Sequence, residues 1–328
     1  MFELRRVSYP MRTPMITAHG STDRRDALLL GVAADGQTGW TEYAPLPGFD
    51  MVEDLDVVEA ELRAALDGGA VSDLAARLVD AARNDLTARL NGVPLAEHLA
   101  GADAASAVAV NATISAADPA EVALQARTAV DAGHRAIKLK VAAWPLNQDM
   151  MRIVSAWQAC GSAELRLDAN QGWTRTQADE ALRVARDHGI GLCEEPTASR
   201  SDWAHLSELG VTLAADESLA ADVDVADFDS MPEVGAVVLK PAVIGGPVAT
   251  HRLAVAARAA GKRVIVTSFF DGPIGLAAAA HVAAACGDDG PHGVGTASAI
   301  DAEFPAGLAP VDGVVRLPEG PGLGVDPS

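Results

Sequence analysis

The sequence contains little cysteine, and its cysteines are not arranged for cross-linking. The 328 residues include three cysteines, Cys160, Cys193 and Cys286, with no CxxC pair among them. An odd and widely spaced set of this kind indicates buried thiols in a reducing compartment rather than disulfides. We therefore expect a cytoplasmic protein that folds without covalent cross-links.

Long apolar runs are also missing. No run reaches the roughly 18 residues that a membrane-spanning helix requires. The first thirty residues include the charged residues Arg5, Arg6, Arg12, Asp23, Arg24, Arg25 and Asp26. Because a secretory leader needs an apolar core, we expect neither a cleavable leader nor a membrane partner.

Positive charge is scarce in this chain. Its 25 Lys and Arg stand against 45 Asp and Glu, which gives a formal net charge of −20. Nucleic-acid binding depends on Lys and Arg that neutralise phosphates, so no nucleic-acid partner is expected. An anionic substrate would have to be held by local cations or by a metal, while most of the negative charge serves solubility. The sequence carries no signal of oligomeric state.

Apolar residues are plentiful, at 49% of the chain with only 4% aromatic. This is more than one minimal core needs, and it favours one large domain with a smaller one. From residue 108 onward, strand and helix patterns alternate. The proposed strands are 108–113, 136–141, 165–170, 191–195, 212–217, 236–240, 263–268 and 293–296. The helical patterns between them include 119–132, 148–159, 176–188, 247–260 and 274–285.

Eight strand–helix units predict an α/β fold of the closed (β/α)8 barrel type, which we assign to residues 106–300. No glycine-rich dinucleotide fingerprint follows the first strand, and this disfavours a Rossmann fold. Residues 1–105 instead show strand patterns followed by helical patterns, as expected of a separate α+β domain. We expect the tail, 301–328, to return to that first domain.

Charged residues end five of the proposed strands. The strand ends read Lys138-Leu139-Lys140, Asp168-Ala169-Asn170, Glu194-Glu195-Pro196, Asp216-Glu217-Ser218 and Lys240-Pro241. In a barrel of parallel strands these ends share one rim, where active sites lie. Carboxylates from Asp168, Glu194 and Asp216 would converge there on a hard cation such as Mg²⁺, although each alone would more often cap the next helix. Lys140 and Lys240 would face each other across the metal.

Side chains that alternate along a strand share a face with their second neighbours. Lys138 therefore lies on the face of Lys140, and Arg166 and Asn170 lie on the face of Asp168. Lys138 is either a charge at the exposed rim or a neighbour whose like charge favours the neutral form of Lys140. Asn170 is either a group beside the metal or a turn residue.

Glu195 and Glu217 each follow a proposed metal ligand by one position. Alternation along the strand predicts that their side chains point away from the metal. We expect each carboxylate to form a salt bridge or a hydrogen bond in the layer behind the site.

The five charged strand ends, in the order in which they occur along the chain, resemble those of the enolase superfamily, in its muconate-lactonizing-enzyme-like branch. The resemblance covers nearly the whole chain. The resemblance implies that an α+β capping domain, formed by the N-terminal part and the C-terminal tail, closes over the barrel and governs substrate choice. It implies Mg²⁺, with Mn²⁺ as an alternative, on Asp168, Glu194 and Asp216. It also implies Lys140 and Lys240 as the acid/base pair that acts on a small-molecule carboxylate substrate.

Loop motifs in the chain resemble those of the o-succinylbenzoate synthases within that branch. They are Gly39-Trp40-Thr41-Glu42 with 44–49, and the run 267–276. The resemblance implies a Mg-dependent syn dehydration in menaquinone biosynthesis. The reaction would convert 2-succinyl-6-hydroxy-2,4-cyclohexadiene-1-carboxylate to o-succinylbenzoate through an ene-diolate. Leu46, Phe49 and Ser268 would then contact the substrate, with Lys138, Arg166 and Asn170 beside it or behind it.

Other reactions stay open. Two lysines on opposite faces also suit a two-base racemase, so an N-acylamino acid racemase is the alternative, together with a cycloisomerase of the same branch. The segment Gly293-Val294-Gly295-Thr296 lacks the Asp-x-Asp by which dipeptide epimerases of the branch hold a substrate ammonium, and such an epimerase is disfavoured. A non-catalytic binding protein would be expected to lose one of the charged strand ends, and none is missing.

Overall fold

A computed structural model describes residues 1–17, 20–46, 51–219, 225–287 and 290–327. The chain begins with three antiparallel strands in the order β1 (Phe2–Thr17), β2 (Gly20–Ala34) and β3 (Gln37–Tyr43). Three helices follow: α1 (Leu55–Leu66), α2 (Asp73–Leu90) and α3 (Leu95–Ala100). We call these six elements the cap.

The first strand, β1, was not predicted from the sequence. Its ladder partner is β2, with a register shift between Pro10 and Met15, and Met11 forms one isolated bridge with Ile300. An edge strand tolerates proline and charge, because half of its main-chain groups have no ladder partner to lose. The apolar alternation that marks a half-buried strand is therefore weak in β1.

The strand β2 is buried on both faces. Leu28 and Leu30 pack with Val58 and Leu62 of α1 in a core inside the cap. Leu29, on the other face, belongs to the main core of the molecule. Because side chains alternate along a strand, Ala27 and Arg25 lie on the same face as Leu29 and also face the barrel.

A curled sheet of seven parallel strands follows, in the order β5-β6-β7-β8-β9-β10-β11. A short strand, β4 (Ala107–Ala109), precedes it and pairs with β12 (Val314–Arg316) of the tail. The sheet strands are β5 (Ala112–Ile114), β6 (Ala136–Lys140), β7 (Glu164–Asp168), β8 (Leu192–Glu194), β9 (Thr212–Ala215), β10 (Val234–Leu239) and β11 (Arg263–Val266). The predicted (β/α)8-type architecture is confirmed.

Two strands differ from the prediction. The first, expected at 108–113, is divided into β4 and β5, and only β5 joins the parallel sheet. The eighth, expected at 293–296, is reduced to bridges at His292 and Gly293 that contact both edges of the sheet. A Cβ atom at Gly293 would lie 2.9 Å from Cβ of Thr267, so the chain passes here too closely for a side chain.

Helices connect the strands along the outside of the sheet. They are α4 (Pro119–Asp131), α5 (Leu146–Cys160), α6 (Arg175–Asp187), α7 (Trp203–Ser207), α8 (Pro241–Ile244), α9 (Pro247–Ala259) and α10 (Pro273–Ala285). The five predicted helices match α4, α5, α6, α9 and α10 within two residues at each end. Three of the remaining helices, α3, α7 and α8, are too short for a helical period to show in the sequence. Within the described ranges, no helix has the length and apolarity to cross a membrane.

The tail contacts the cap after β12. Leu323 donates its main-chain N–H to Asp85 of α2, and Leu95 at the start of α3 donates to the carbonyl of Gly322. Arg89 of α2 bonds to Asp326. These contacts fasten the end of the described chain to the cap helices.

Candidate active site

The five charged strand ends meet at one rim of the sheet. Asp168 and Glu194 are the last residues of β7 and β8 and are register partners. Lys140 ends β6 and is the register partner of Asp168. Asp216 and Lys240 come one residue after β9 and β10. Because neighbouring strands run parallel, these side chains lie at the same end of the sheet. Below them, inside the barrel, is a small apolar cluster formed by Leu192, Ala214, Ala236, Val238 and Ile265.

Two lysines share the carboxylate of Asp168. Lys140 Nζ lies 2.6 Å from Asp168 Oδ2, and Lys138 Nζ lies 2.8 Å from the same oxygen. Lys138 is also 3.4 Å from Glu194. Burial would raise the pKa of Asp168, but the two ammonium groups outweigh it and hold this pKa well below its usual value. Lys138 is thus an interior cation between two carboxylates rather than an exposed rim charge.

Lys240 forms the second lysine–carboxylate pair. Its ammonium donates to both carboxylate oxygens of Asp216. Burial opposes the positive charge, but Asp216, with Glu217 and Glu194 nearby, raises the pKa of Lys240 above its usual value. This lysine therefore stays protonated in the resting site.

Asn170 and Glu217 lie beside Lys140. Asn170 Oδ1 accepts a hydrogen bond of 2.8 Å from Lys140 Nζ, and its Nδ2 donates at 2.8 Å to Glu217. The backbone of Asn170 is left-handed, with φ 41°, so it is both a turn residue and a neighbour of the proposed base. The prediction that Glu217 turns away from the site is wrong. Strand β9 ends at Ala215, and alternation no longer applies two residues beyond it.

Glu195 lies behind the rim. It is fully buried and accepts from the main-chain N–H groups of Asp216 and Ser218, at 2.7 and 2.8 Å. The hydroxyl of Ser218 donates to the same oxygen at 2.6 Å. Its carboxylate therefore holds the backbone that carries Asp216, in the layer behind the site.

Four further residues were predicted to contact the substrate or to support the site. Arg166 lies two positions deeper in β7, paired with Glu164 at 2.6 Å and bonded to the carbonyl of Pro291, so it supports the barrel interior below the site. Ser268 is buried, and its hydroxyl lies 2.8 Å from that of Thr296. Leu46 is buried, and Phe49 lies outside the described residues.

The sequence did not point to Thr296 or to Phe269 as site residues. The ring centroid of Phe269 lies 5.8 Å from Lys240 Nζ, close enough for a cation–π contact. Neither residue belongs to a recognisable sequence motif. Only the position of Thr296 and Phe269 at the ends of predicted strands could have indicated that they lie near the site.

The donor set fits a hard divalent cation. Asp168, Glu194 and Asp216 offer only carboxylate oxygens, the ligands that hard divalent cations prefer. As they stand, no three Asp, Glu, His or Cys side chains among the described residues are grouped to hold a metal. The ammonium of Lys138 lies between Asp168 and Glu194 and marks where positive charge is stabilised.

Comparison with known proteins gives a consistent picture. A family model described as "Enolase C-terminal domain-like" matches residues 121–328. An o-succinylbenzoate synthase of Yersinia enterocolitica is 31% identical over 85% of this chain and 85% of its own length. Muconate cycloisomerase 1 of Pseudomonas putida is 33% identical over 62% of this chain and 55% of its own. The crystal structure of a muconate lactonizing enzyme from Pseudomonas fluorescens, complexed with muconolactone, superposes with a TM-score of 0.85 at 25% identity, covering 99% of this chain and 95% of that one.

Proposed function

This chain belongs to the enolase superfamily, and on that premise we propose that it is an o-succinylbenzoate synthase of menaquinone biosynthesis. The reaction is the syn dehydration of 2-succinyl-6-hydroxy-2,4-cyclohexadiene-1-carboxylate to o-succinylbenzoate and water. The observation that carries the proposal is the pair of lysines, Lys140 on β6 and Lys240 after β10, on either side of a buried carboxylate cluster. The likeness to a synthase over 85% of the chain favours dehydration among the reactions that such a site supports.

Lys140 is the proposed base. Its side chain is 34% exposed, against 15% for Lys138 and 11% for Lys240, so it is the rim lysine most open to a substrate. Asp168 and Asn170 fix its nitrogen from below. To accept the proton next to the substrate carboxylate, Lys140 must be neutral when the substrate is bound.

Lys240 is the proposed electrostatic partner. Because its ammonium stays protonated, it can stabilise the negative charge that develops on the substrate carboxylate as the proton leaves. Mg²⁺ held by Asp168, Glu194 and Asp216 would add to that stabilisation as a Lewis acid. Lys140, now protonated, returns its proton to the departing hydroxyl on the same face, which gives the syn stereochemistry.

The first experiment tests the metal site. We expect the purified protein to form o-succinylbenzoate from the cyclohexadiene substrate, excess chelator to abolish turnover, and Mg²⁺ or Mn²⁺ to restore it. Asp168→Asn, Glu194→Gln and Asp216→Asn should each be nearly inactive. Asp179→Asn, which alters a surface carboxylate paired with Arg183 on α6, is the control and should match the wild type. Full turnover in excess chelator would contradict the proposal.

The second experiment separates dehydration from racemization. Racemization of an N-acylamino acid would need both lysines to move protons, whereas the dehydration needs only one of them to do so. Incubation of an N-acylamino acid in D₂O would reveal two-base activity as deuterium exchange in both enantiomers. We expect kcat/KM for dehydration to exceed that for racemization, and the reverse order would assign the chain to the racemases. Restoration of menaquinone synthesis in a strain that lacks the synthase tests the biological role.

A further inference from the structure

One arginine of the cap is buried at the contact with the barrel. Arg25 lies on the face of β2 that also carries Leu29 of the main core, and it is 1% exposed. Its guanidinium donates to four main-chain carbonyls. In the cap these are Ala44 at 2.5 Å and Pro45 at 2.6 Å, and in the barrel they are Phe269 at 3.3 Å and Phe270 at 3.2 Å. One side chain therefore ties the cap segment before Leu46 to the loop after β11.

The barrel loop needs such support. Phe270 has φ 54°, a backbone conformation that a bulky residue adopts only when its surroundings enforce it. A second cap residue, Glu42 of β3, accepts from the N–H groups of Gly272 and Gly275 at the start of α10, at 2.5 and 2.9 Å. Both ends of the 269–272 loop are thus held by the cap.

The same loop reaches the proposed chemistry through one ring. Phe269 has the Cζ of Arg25 at 5.6 Å from its ring centroid and Nζ of Lys240 at 5.8 Å. A continuous set of contacts therefore joins the cap to Lys240. If the carbonyls of the loop lost Arg25, the ring beside Lys240 would lose its anchor.

We propose that Arg25 is a positioning residue that couples the docking of the cap to the placement of Lys240, through the carbonyls of the 269–270 loop and the ring of Phe269. Its role in turnover rests on the proposed function. A planar guanidinium is required, because the ammonium of a lysine cannot donate in a fixed fork to four carbonyls on two segments. Arg25 touches neither substrate nor metal in this scheme.

The variants Arg25→Ala and Arg25→Lys test the coupling. We expect kcat to fall about 100-fold in Arg25→Ala, as for a misplacement of about 1 Å, with a smaller change in KM. Arg25→Lys should recover only part of the loss, and added guanidinium ion should partly restore Arg25→Ala. The neighbouring Arg24→Ala is the matched control. Arg24 is 59% exposed and bonds to Ser8 and Asp26, so its loss should leave turnover unchanged.

Two further measurements do not depend on turnover. In Arg25→Ala, amide hydrogen exchange should accelerate in residues 268–276, and acetic anhydride should label Lys240 faster, as measured by peptide mass spectrometry. Phe269→Leu should show the same faster labelling. The double variant Arg25→Ala/Phe269→Leu should be labelled at Lys240 no faster than Arg25→Ala alone, because both changes break the same set of contacts.

The inference and the proposed function fail separately. A wild-type protein that does not dehydrate the substrate refutes the function, while exchange and labelling still test the coupling. A folded Arg25→Ala variant with wild-type protection of 268–276 overturns the inference. So does loss of that protection with wild-type labelling of Lys240, because the cap would then hold the loop without placing the lysine.

Discussion

At the rim of the barrel the buried charges bond to one another, whereas at the contact between the cap and the barrel they bond to the main chain. Lys138, Lys140 and Lys240 each hold a carboxylate of the rim. At the cap–barrel contact, Arg25 donates to four carbonyls and Glu42 accepts from two N–H groups. Both regions bury charge, but they use different partners.

The partner determines what the charge can do. An ion pair between two side chains can exchange one partner for a metal or a substrate without moving the backbone. A bond to the main chain fixes a segment in place, and its loss leaves a buried group unsatisfied. Substitutions at the rim should therefore change turnover more than stability. Substitutions of groups that bond to the main chain should change stability more than turnover. Arg25 is an exception, because the segment that it holds reaches the site.

The largest expected effect tests the rim. Lys140→Ala should lower kcat by about 10²- to 10⁴-fold, the usual cost of losing a general base, with a small change in melting temperature. Lys140→Arg should not rescue turnover, because guanidinium stays protonated. The matched variant is Lys138→Ala, on the same strand face. If Lys138→Ala proved far more damaging to kcat than Lys140→Ala, the base would be Lys138.

The next effect tests the opposite case, in the cap. Asp85 is 1% exposed and accepts from the N–H groups of Trp40 and Leu323 and from Arg89. Asp85→Ala removes all three bonds and should lower the free energy of unfolding by about 4 kcal/mol, measured by urea denaturation, with kcat preserved. Asp80→Ala, on an exposed part of the same helix, should change neither. A loss of turnover in Asp85→Ala without a loss of stability would contradict the division between the two regions.

The same division explains what the sequence could predict. The rim was accessible because each of its charges follows a buried strand, and parallel strands bring their ends together. Arg25 was not, since it lies in the run Asp23-Arg24-Arg25-Asp26, where only the strand register distinguishes a buried arginine from exposed neighbours. Its partners are carbonyls, which no side-chain motif reveals.

The errors near the site have a similar origin. Glu217 was assigned to the wrong side because alternation was extended past the end of β9. The eighth strand was expected at 293–296, but close packing of Gly293 on Thr267 and a 3₁₀ turn at Ala297–Ala299 leave only bridges. The boundaries of the cap and the barrel stay predictions. So do the roles of the metal ligands and of the two lysines, which the experiments above test.

The smallest effect concerns two groups that join the cap to the barrel, Glu42 and His281. His281 of α10 is buried, with Nδ1 accepting from the N–H of Ala96 and Nε2 bonding to the carbonyl of Leu323. Burial lowers the pKa of His281 to about 4. Burial, with Asp271 nearby, raises the pKa of Glu42 to about 7 although Arg25 opposes the shift.

The two pKa shifts make the free energy of unfolding depend on pH in opposite directions over nearly the same pH range. Between pH 4 and 6.5 the unfolded chain binds the proton at His281 and the folded chain does not, so this contribution rises with pH. Between pH 4.5 and 7 the folded chain holds the proton at Glu42, so that contribution falls as pH rises. From pH 5 to 6.5 each amounts to about 1.5 kcal/mol, and the wild type should show only their difference. Urea denaturation should reveal stability that rises with pH in Glu42→Gln and falls with pH in His281→Gln, with a flat profile in the double variant. If both single variants kept the wild-type profile, neither group would be held at the shifted pKa, and the cap–barrel contact would be open to water at pH 5 to 6.5.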